Sequence, residues 1–278
     1  MEAGAGLMPS LERDGATLWW DRRGDPSKPD LVLASGLGGT HGWWTPQFEE
    51  WGKHFHLLVF DQRGTGHSSR VPVASVWQMA EDLAAVLDAA GVERPLYLGH
   101  STGGAIGVAL ALRRPGVFRR MVVYASTTHG DAYRRKLLGL RRMLMDRAGM
   151  DAYARYTTLL LHPPYFINAN AERLDADEQA AAAALGEPEV QGSRLQAILD
   201  FDPRAELPGL DVPMLVVCTD DDILTPRYFS EELAALVPGA RAFRAARRPC
   251  PLPHRARPLW RDRPALPQGV TPCPRAAA

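Results

Sequence analysis

The sequence has little cysteine and no excess of charge of either sign. Its three cysteines, Cys218, Cys250 and Cys273, are too few and too scattered to predict a disulfide framework or a metal site. The 32 basic residues balance the 32 acidic residues, so no net field favours nucleic acid or an anionic membrane. We therefore expect neither nucleic acid nor a membrane as a partner.

Long apolar runs are also lacking. None approaches the roughly 20 residues of a transmembrane helix, and residues 1–10 lack the basic segment followed by an apolar one that marks a secretory leader. These absences predict a cytoplasmic protein. The 278 residues, 46% of them hydrophobic, suffice for one large α/β domain or two smaller ones with a substantial core.

Glycine, in contrast, is plentiful, and one glycine-rich turn indicates chemistry. The segment Pro95–Leu112 runs from a short apolar strand through a Gly-x-Ser-x-Gly turn into an apolar helix, which is the context of a nucleophile elbow. Gly99 and Gly103 let strand and helix backbones pass closely. Ser101, at the apex, must hold a strained conformation that exposes its hydroxyl. The alternative interpretation is an ordinary glycine-rich turn.

A second glycine cluster follows an earlier strand. Residues 30–35 form an apolar run of buried-strand type that ends in Gly36-Leu-Gly-Gly, and such a loop can turn backbone N–H groups toward a developing oxyanion. We predict that the N–H of Leu37 is one such donor. Trp43, in the same loop, is a candidate substrate contact. A flexible loop without this role is the alternative.

Strands, polar turns and helices then alternate. Residues 56–60 form a second apolar strand, and the turn Asp61–Gly66 is interpreted as a structural brace. Ser75 is a predicted N-cap for a helix that extends to Gly91, where apolar residues recur at helical spacing. This repeat predicts an α/β fold with a mostly parallel sheet flanked by helices.

After a further strand the pattern changes to consecutive helices. These are predicted at residues 133–148, 151–161, 171–185 and 188–199. Helices inserted here would cover the carboxyl edge of the sheet, where sites of α/β proteins lie, so Tyr165 and Phe166 are candidate substrate contacts, with core packing as the alternative. We expect a hydrolase-type core in residues 1–126 and 209–246, a cap in 127–208 and an irregular tail in 247–278.

Three acidic residues end the next apolar strand. Asp220, Asp221 and Asp222 follow the strand that begins at Val212. A carboxylate at a strand end, downstream of the serine, fits the chain order Ser, Asp, His of a catalytic triad. Asp222 is the candidate, and Asp220 or Asp221 is interpreted as a cap of the following helix.

Five motifs carry a family resemblance: Ser35-Gly-Leu-Gly-Gly, Trp44-Thr-Pro-Gln, Asp61-Gln-Arg-Gly-Thr-Gly, Gly99-His-Ser-Thr-Gly-Gly and Asp221-Asp-Ile-Leu-Thr-Pro. They resemble the α/β-hydrolase superfamily over residues 30–244. Within it they are similar to the D-protein family of the Rut pyrimidine-utilization pathway, which is assigned hydrolysis of aminoacrylate or carbamate. The cap segment 166–174 is also similar to that family. The 3-oxoadipate enol-lactonases share most of the other motifs and remain an alternative.

The resemblance implies roles for individual residues. Ser101 would be the nucleophile, the N–H groups of Leu37 and Thr102 the oxyanion donors, and Asp222 the acid that orients a histidine. This chemistry needs neither a metal nor an organic cofactor, and the expected partner is a small-molecule substrate. The expected oligomeric state is a monomer or a homodimer.

The sequence departs from the family pattern at the position of the catalytic histidine. The expected Gly-His segment would fall at positions 248 to 250, which read Arg248-Pro-Cys, and the residues from 247 onward include 8 Pro and 7 Arg in 32 residues. Proline at this density predicts irregular chain. His254 is the nearest histidine and hence the candidate base.

Two further hypotheses follow from the tail. A reading-frame shift near Arg247 would explain it, because with suitable codons the bases for residues 247–250 can be read one position later as Gly-Gly-His-Ala. Alternatively, the chain is a hydrolase fold with impaired catalysis that binds a ligand without turning it over.

Overall fold

Strands and helices alternate along the chain around one eight-stranded sheet. The computed structural model describes residues 9–185 and 187–245. The strands are β1 (Ser10–Arg13), β2 (Ala16–Arg23), β3 (Asp30–Ala34), β4 (His56–Phe60), β5 (Leu96–His100), β6 (Arg120–Tyr124), β7 (Met214–Thr219) and β8 (Arg241–Ala245). The helices are α1 (Phe48–Gly52), α2 (Val76–Ala89), α3 (Thr102–Arg113), α4 (Ala132–Leu161), α5 (Pro164–Ala169), α6 (Ala171–Ala184), α7 (Pro188–Asp200) and α8 (Arg227–Leu236), with 3₁₀ turns at His41–Gln47 and Leu207–Gly209.

The sheet is mostly parallel, which confirms the predicted fold class. Its strand order is β1-β2-β4-β3-β5-β6-β7-β8. Strand β2 pairs antiparallel with β1 and with β4, whereas the pairs from β4 through β8 are parallel. Because β3, β5 and β6 are neighbours, the loops that follow β3 and β5 emerge side by side at the carboxyl edge.

Both faces of the sheet are covered at its centre, so strands β3, β4, β5 and β6 are buried from their second position onward. On β3, Val32 and Ala34 belong to the larger apolar core, whereas Leu31 and Leu33 belong to the smaller one. Successive side chains of a strand point to opposite faces. The continuous apolar runs are thus the signature of strands buried on both sides.

Helices α2 and α3 pack against each other over the larger core. Helix α2 begins where its sequence predicts, because the Ser75 side chain accepts a hydrogen bond from the N–H of Gln78 at 3.1 Å. The capped helix delivers the chain to β5.

Helices α4 to α7 lie between β6 and β7 in the chain. Residues 132–161 form two helices joined end to end, as predicted for 133–148 and 151–161. The junction is kinked at Gly149, whose φ of 82° and ψ of 179° are not helical. The glycine supplies the conformation that side chains disfavour, so the two predicted helices meet at a kink without a connecting loop.

Among the described helices, none has both the length and the apolarity that crossing a bilayer requires. The predicted tail from residue 247, with His254, lies outside the described residues.

Candidate active site

Ser101 occupies the turn between β5 and α3 in a conformation that is rare for a residue with a side chain. Its φ is 51° and its ψ is −117°. Hydrogen bonds on both sides of the residue hold it there, because its N–H donates to the carbonyl of Tyr124 at 2.9 Å and its carbonyl accepts from the Ser126 hydroxyl at 2.7 Å. Backbone strain that the surroundings enforce is a feature of functional sites.

The glycines that flank Ser101 are required by contact. A Cβ on Gly99 would lie 2.6 Å from the carbonyl oxygen of Gly103, and a Cβ on Gly103 would lie 2.3 Å from the carbonyl oxygen of Ala34. Both distances are shorter than carbon–oxygen contacts allow. The two glycines therefore let α3 start directly against β5 and the end of β3, which fixes the direction of the serine.

The turn that contains Ser101 lines a small pocket, and the candidate acid Asp222 lines the same pocket. Trp43 lines it as well. The remaining lining residues come from the strand ends, from the end of α4 and from the loop after β7: His100, Tyr124, Ala125, Leu160, Leu161, Leu224 and Thr225. The pocket thus joins the segments at the carboxyl ends of β3, β5, β6 and β7 to one helix of the insertion, as expected for sites of α/β proteins.

Local hydrogen bonds hold Asp222 in the pocket. Its carboxylate accepts from the N–H groups of Leu224 and Thr225, each at 2.8 Å, and from the Thr225 hydroxyl at 2.9 Å. These donors fix the side chain at the end of β7. Asp220 instead pairs with Arg227, at 3.6 Å, and with Arg244, so its charge is neutralised on the surface.

The loop after β3 is fixed by a buried arginine of α7. Arg194 is fully buried, and its guanidinium donates to the Leu37 carbonyl at 3.1 and 3.3 Å, to the side-chain oxygen of Gln62 at 2.6 Å and to the Arg63 carbonyl. The Gln62 amide in turn donates to the Ser35 carbonyl at 2.8 Å. The loop that contains Leu37 is therefore connected directly to the insertion. Thr102 is buried at the start of α3.

His100 lies beside Ser101 but is held neutral. Its ring stacks on Trp43, with centroids 4.8 Å apart and planes 6° from parallel. Its Nδ1 atom has no hydrogen-bond partner among the described residues. Burial lowers the pKa of His100 from 6.5 to about 4, because the charged imidazolium is disfavoured away from water.

The candidate contacts in the cap lie elsewhere. Tyr165 is 55% exposed on α5, and Phe166 stacks on His162 with ring centroids 5.0 Å apart. Neither is among the residues that line the pocket with Ser101. Leu160 and Leu161, at the end of α4, line it instead.

Sequence reasoning missed these two leucines, His100 and Arg194. The leucines look like any apolar positions of a helix, and the partners of Arg194 are more than 130 positions away in sequence. One of the four, His100, could have been found from the Gly-x-Ser-x-Gly pattern. It directly precedes the serine and is the last residue of β5, a strand in which every position is buried.

Comparison with curated proteins yields relatives that match most of the chain. The chain is 34% identical to the "Putative carbamate hydrolase RutD" of Azorhizobium caulinodans over 235 residues, which cover 84% of this chain and 88% of the relative. It is 35% identical to the protein of the same name from Stutzerimonas stutzeri, over 78% of this chain and 83% of the relative. These values confirm the resemblance that the motifs indicated.

Solved structures show the same fold. A hydrolase from Pseudomonas aeruginosa superimposes with a TM-score of 0.79 and 28% identity, covering 87% of this chain and 91% of the other. The enol-lactonase from Burkholderia xenovorans gives a TM-score of 0.78 and 26% identity, covering 85% and 91%. The sequence pattern of the family described as "alpha/beta hydrolase fold" matches residues 29–246. The chain belongs to the α/β-hydrolase family.

Proposed function

We propose that this chain is a serine hydrolase that cleaves a small ester, lactone, amide or carbamate, with Ser101 as its nucleophile. The observation that carries the proposal is the strained conformation of Ser101 in a pocket shared with Asp222. A serine hydroxyl is a weak nucleophile at neutral pH and needs a base. His254 is the candidate base, and Asp222 would orient it.

The proposed reaction is acyl transfer to the serine followed by hydrolysis. The Ser101 oxygen attacks the carbonyl carbon while the histidine takes its proton, and the same proton then passes to the leaving group. Water hydrolyses the acyl-enzyme in the reverse sequence. The N–H groups of Leu37 and Thr102 would donate to the oxyanion, and losing one such donor raises the barrier by about 3 to 4 kcal/mol.

The substrate class is narrowed by the relatives and by the pocket. The relatives bear the name "Putative carbamate hydrolase RutD", which favours a carbamate, and the motif resemblance to that family adds aminoacrylate. The pocket that contains Ser101 is small, which supports a compact substrate of this kind. An enol-lactone is the second candidate, supported by the structural likeness to the enol-lactonase.

Labelling with a fluorophosphonate probe tests the nucleophile. We expect stoichiometric modification that mass spectrometry places on the peptide containing Ser101, and its loss in Ser101→Ala. Ser27→Ala, which changes an exposed turn, should label like the wild type. Modification of a different serine, or unchanged labelling of Ser101→Ala, would refute the assignment.

Kinetics on His254→Ala and Asp222→Asn test the rest of the triad. Loss of the base lowers kcat by on the order of a thousandfold or more, whereas an unchanged rate in His254→Ala would exclude it as the base. A folded wild-type chain that does not react with the probe would favour the hydrolase fold with impaired catalysis. A panel of carbamates, aminoacrylate surrogates and enol-lactones distinguishes the two substrate classes by kcat/KM.

A further inference from the structure

Two histidines share one buried carboxylate behind the loop that contains Leu37. The carboxylate of Asp61 accepts from the ring Nδ1 of His41 at 2.8 Å and from that of His67 at 2.9 Å. It also accepts from the backbone N–H groups of the same two residues, at 2.7 and 2.9 Å. Each histidine is therefore held to one oxygen of the carboxylate by two hydrogen bonds.

The carboxylate is ionised and oriented by these contacts. Burial alone would raise the pKa of Asp61, but the hydrogen bonds from His41 and His67 outweigh it and hold the pKa below its ordinary value. The side chain of Asp61 is fully buried, that of His41 is 19% exposed and that of His67 is 50% exposed. An ion could thus reach the cluster from the side of His67.

The turn around Asp61 keeps its geometry without help from the histidine rings. Gly66 has a φ of 57°, and a Cβ there would lie 2.2 Å from the carboxylate. The Ser68 hydroxyl donates to the Asp61 carbonyl at 2.6 Å. The indole of Trp19 packs against both imidazoles, with centroids 4.4 and 4.9 Å away. The two rings therefore both lie against the Trp19 indole, next to Asp61.

We propose that His41, Asp61 and His67 form a binding site for a divalent transition ion of the Zn²⁺ type. One ligand atom from each side chain lies within 4.8 Å of the other two. Two ligands that each lie about 2.1 Å from a tetrahedral ion are separated by about 3.4 Å, so the nitrogen–oxygen distances of 2.8 and 2.9 Å are about 0.5 Å shorter than those of an occupied site. Binding therefore requires the two rings to rotate away from the carboxylate, and the half-exposed side chain of His67 has the room to do so.

Replacement of the two Nδ1 protons by the ion can be accounted for. A carboxylate only accepts, so both imidazoles now carry a proton on Nδ1. On binding, Nδ1 becomes the ligand: a singly protonated ring moves its proton to Nε2 with no net release, and a doubly protonated ring gives its Nδ1 proton to the solvent. Two imidazole nitrogens and one carboxylate suit Zn²⁺, Ni²⁺ or Cu²⁺. Mg²⁺ and Ca²⁺ require more oxygen ligands than the cluster offers.

The test is calorimetric titration of the untagged, chelator-treated full chain with ZnCl₂, using two matched variants. His67→Gln removes a half-exposed ligand. His54→Gln removes a histidine that lies 3.7 Å from Glu50 and outside the cluster. We expect His67→Gln to weaken the Zn²⁺ affinity at least tenfold and His54→Gln to leave it unchanged. The remaining histidines and cysteines are the same in the two variants. The difference in Zn²⁺ affinity between His67→Gln and His54→Gln is therefore the quantity that tests the proposal.

Quenching of tryptophan fluorescence tests where in the protein the ion binds. Cu²⁺ bound to the cluster should quench Trp19, so Trp19→Phe should lose part of the quenching that the wild type shows while it retains Zn²⁺ binding. MgCl₂ should produce no saturable signal. Equal Zn²⁺ affinity in His67→Gln and His54→Gln, or no saturable binding in the wild type, would overturn the proposal.

Discussion

The guanidinium of Arg194 on α7 donates two hydrogen bonds to the carbonyl oxygen of Leu37 in the loop after β3. That carbonyl belongs to the residue whose N–H is the candidate oxyanion donor. Since the same guanidinium also binds Gln62 and the Arg63 carbonyl, one side chain connects the inserted helices to the loop beside the nucleophile. Burial lowers the pKa of Arg194 to about 10, so it remains charged at neutral pH.

Removing this guanidinium should cost much more stability than removing an exposed one. Arg194→Met leaves several buried acceptors without a donor, and we expect the free energy of unfolding to fall by about 3 kcal/mol or more. Arg114 is 48% exposed and paired with Asp88, so Arg114→Met should cost less than about 1 kcal/mol. Urea denaturation measures both. Equal losses would contradict a special role for Arg194.

The strain at Ser101 should be measurable by comparing two variants that both lack the hydroxyl. Ser101→Gly relieves the positive φ, whereas Ser101→Ala retains the strained conformation with a Cβ. Strain of this kind costs about 1 to 3 kcal/mol, and the greater freedom of glycine in the unfolded chain offsets about 0.5 to 1 kcal/mol. We expect Ser101→Gly to be the more stable variant by about 1 kcal/mol in chemical denaturation. The reverse order would show that the backbone is relaxed.

The sequence predicted the sheet and the elbow because their signals are local. The strand β5, the glycines and the small residues of α3 follow one another within 18 positions, and each has a direct backbone cause. The pocket walls were harder to predict, because Leu160 and Leu161 meet Ser101 only through the packing of a long insertion. The choice of Asp222 rested on chain order, and its partners at positions 224 and 225 emerged only with the loop conformation.

The glycine at 103 should be irreplaceable, whereas another helical glycine should be easily replaced. In Gly103→Ala the new Cβ would meet the carbonyl oxygens of Ala34 and Ser35 at 2.3 and 2.7 Å. We expect a loss of at least about 2 kcal/mol. A Cβ added at Gly139, inside α4, would meet no neighbouring element of the described chain within 4 Å, so Gly139→Ala should gain about 0.5 to 1 kcal/mol from helix propensity. Thermal unfolding should therefore shift in opposite directions, and a similar loss in both would contradict the contact argument.

The buried imidazole of His100 predicts a specific pH dependence of stability. Burial lowers its pKa to about 4 in the folded chain, whereas in the unfolded chain the pKa returns to about 6.5. Between these values the unfolded state binds more protons than the folded state, so acid favours unfolding. The stability contributed by the neutral ring is complete above pH 6.5, falls as the pH drops toward 4, and changes no further below it.

The variant His100→Gln isolates this effect, because glutamine does not titrate and the other ionisable groups are common to both proteins. The difference between wild type and variant in the free energy of unfolding should be constant above pH 6.5. It should then move in favour of the variant by about 3 kcal/mol between pH 6.5 and pH 4, since each unit of pKa shift corresponds to about 1.4 kcal/mol. Urea denaturation at half-unit pH steps measures it. Parallel curves would mean that His100 becomes protonated as readily in the folded chain as in water, which its stacking on Trp43 away from solvent makes unfavourable.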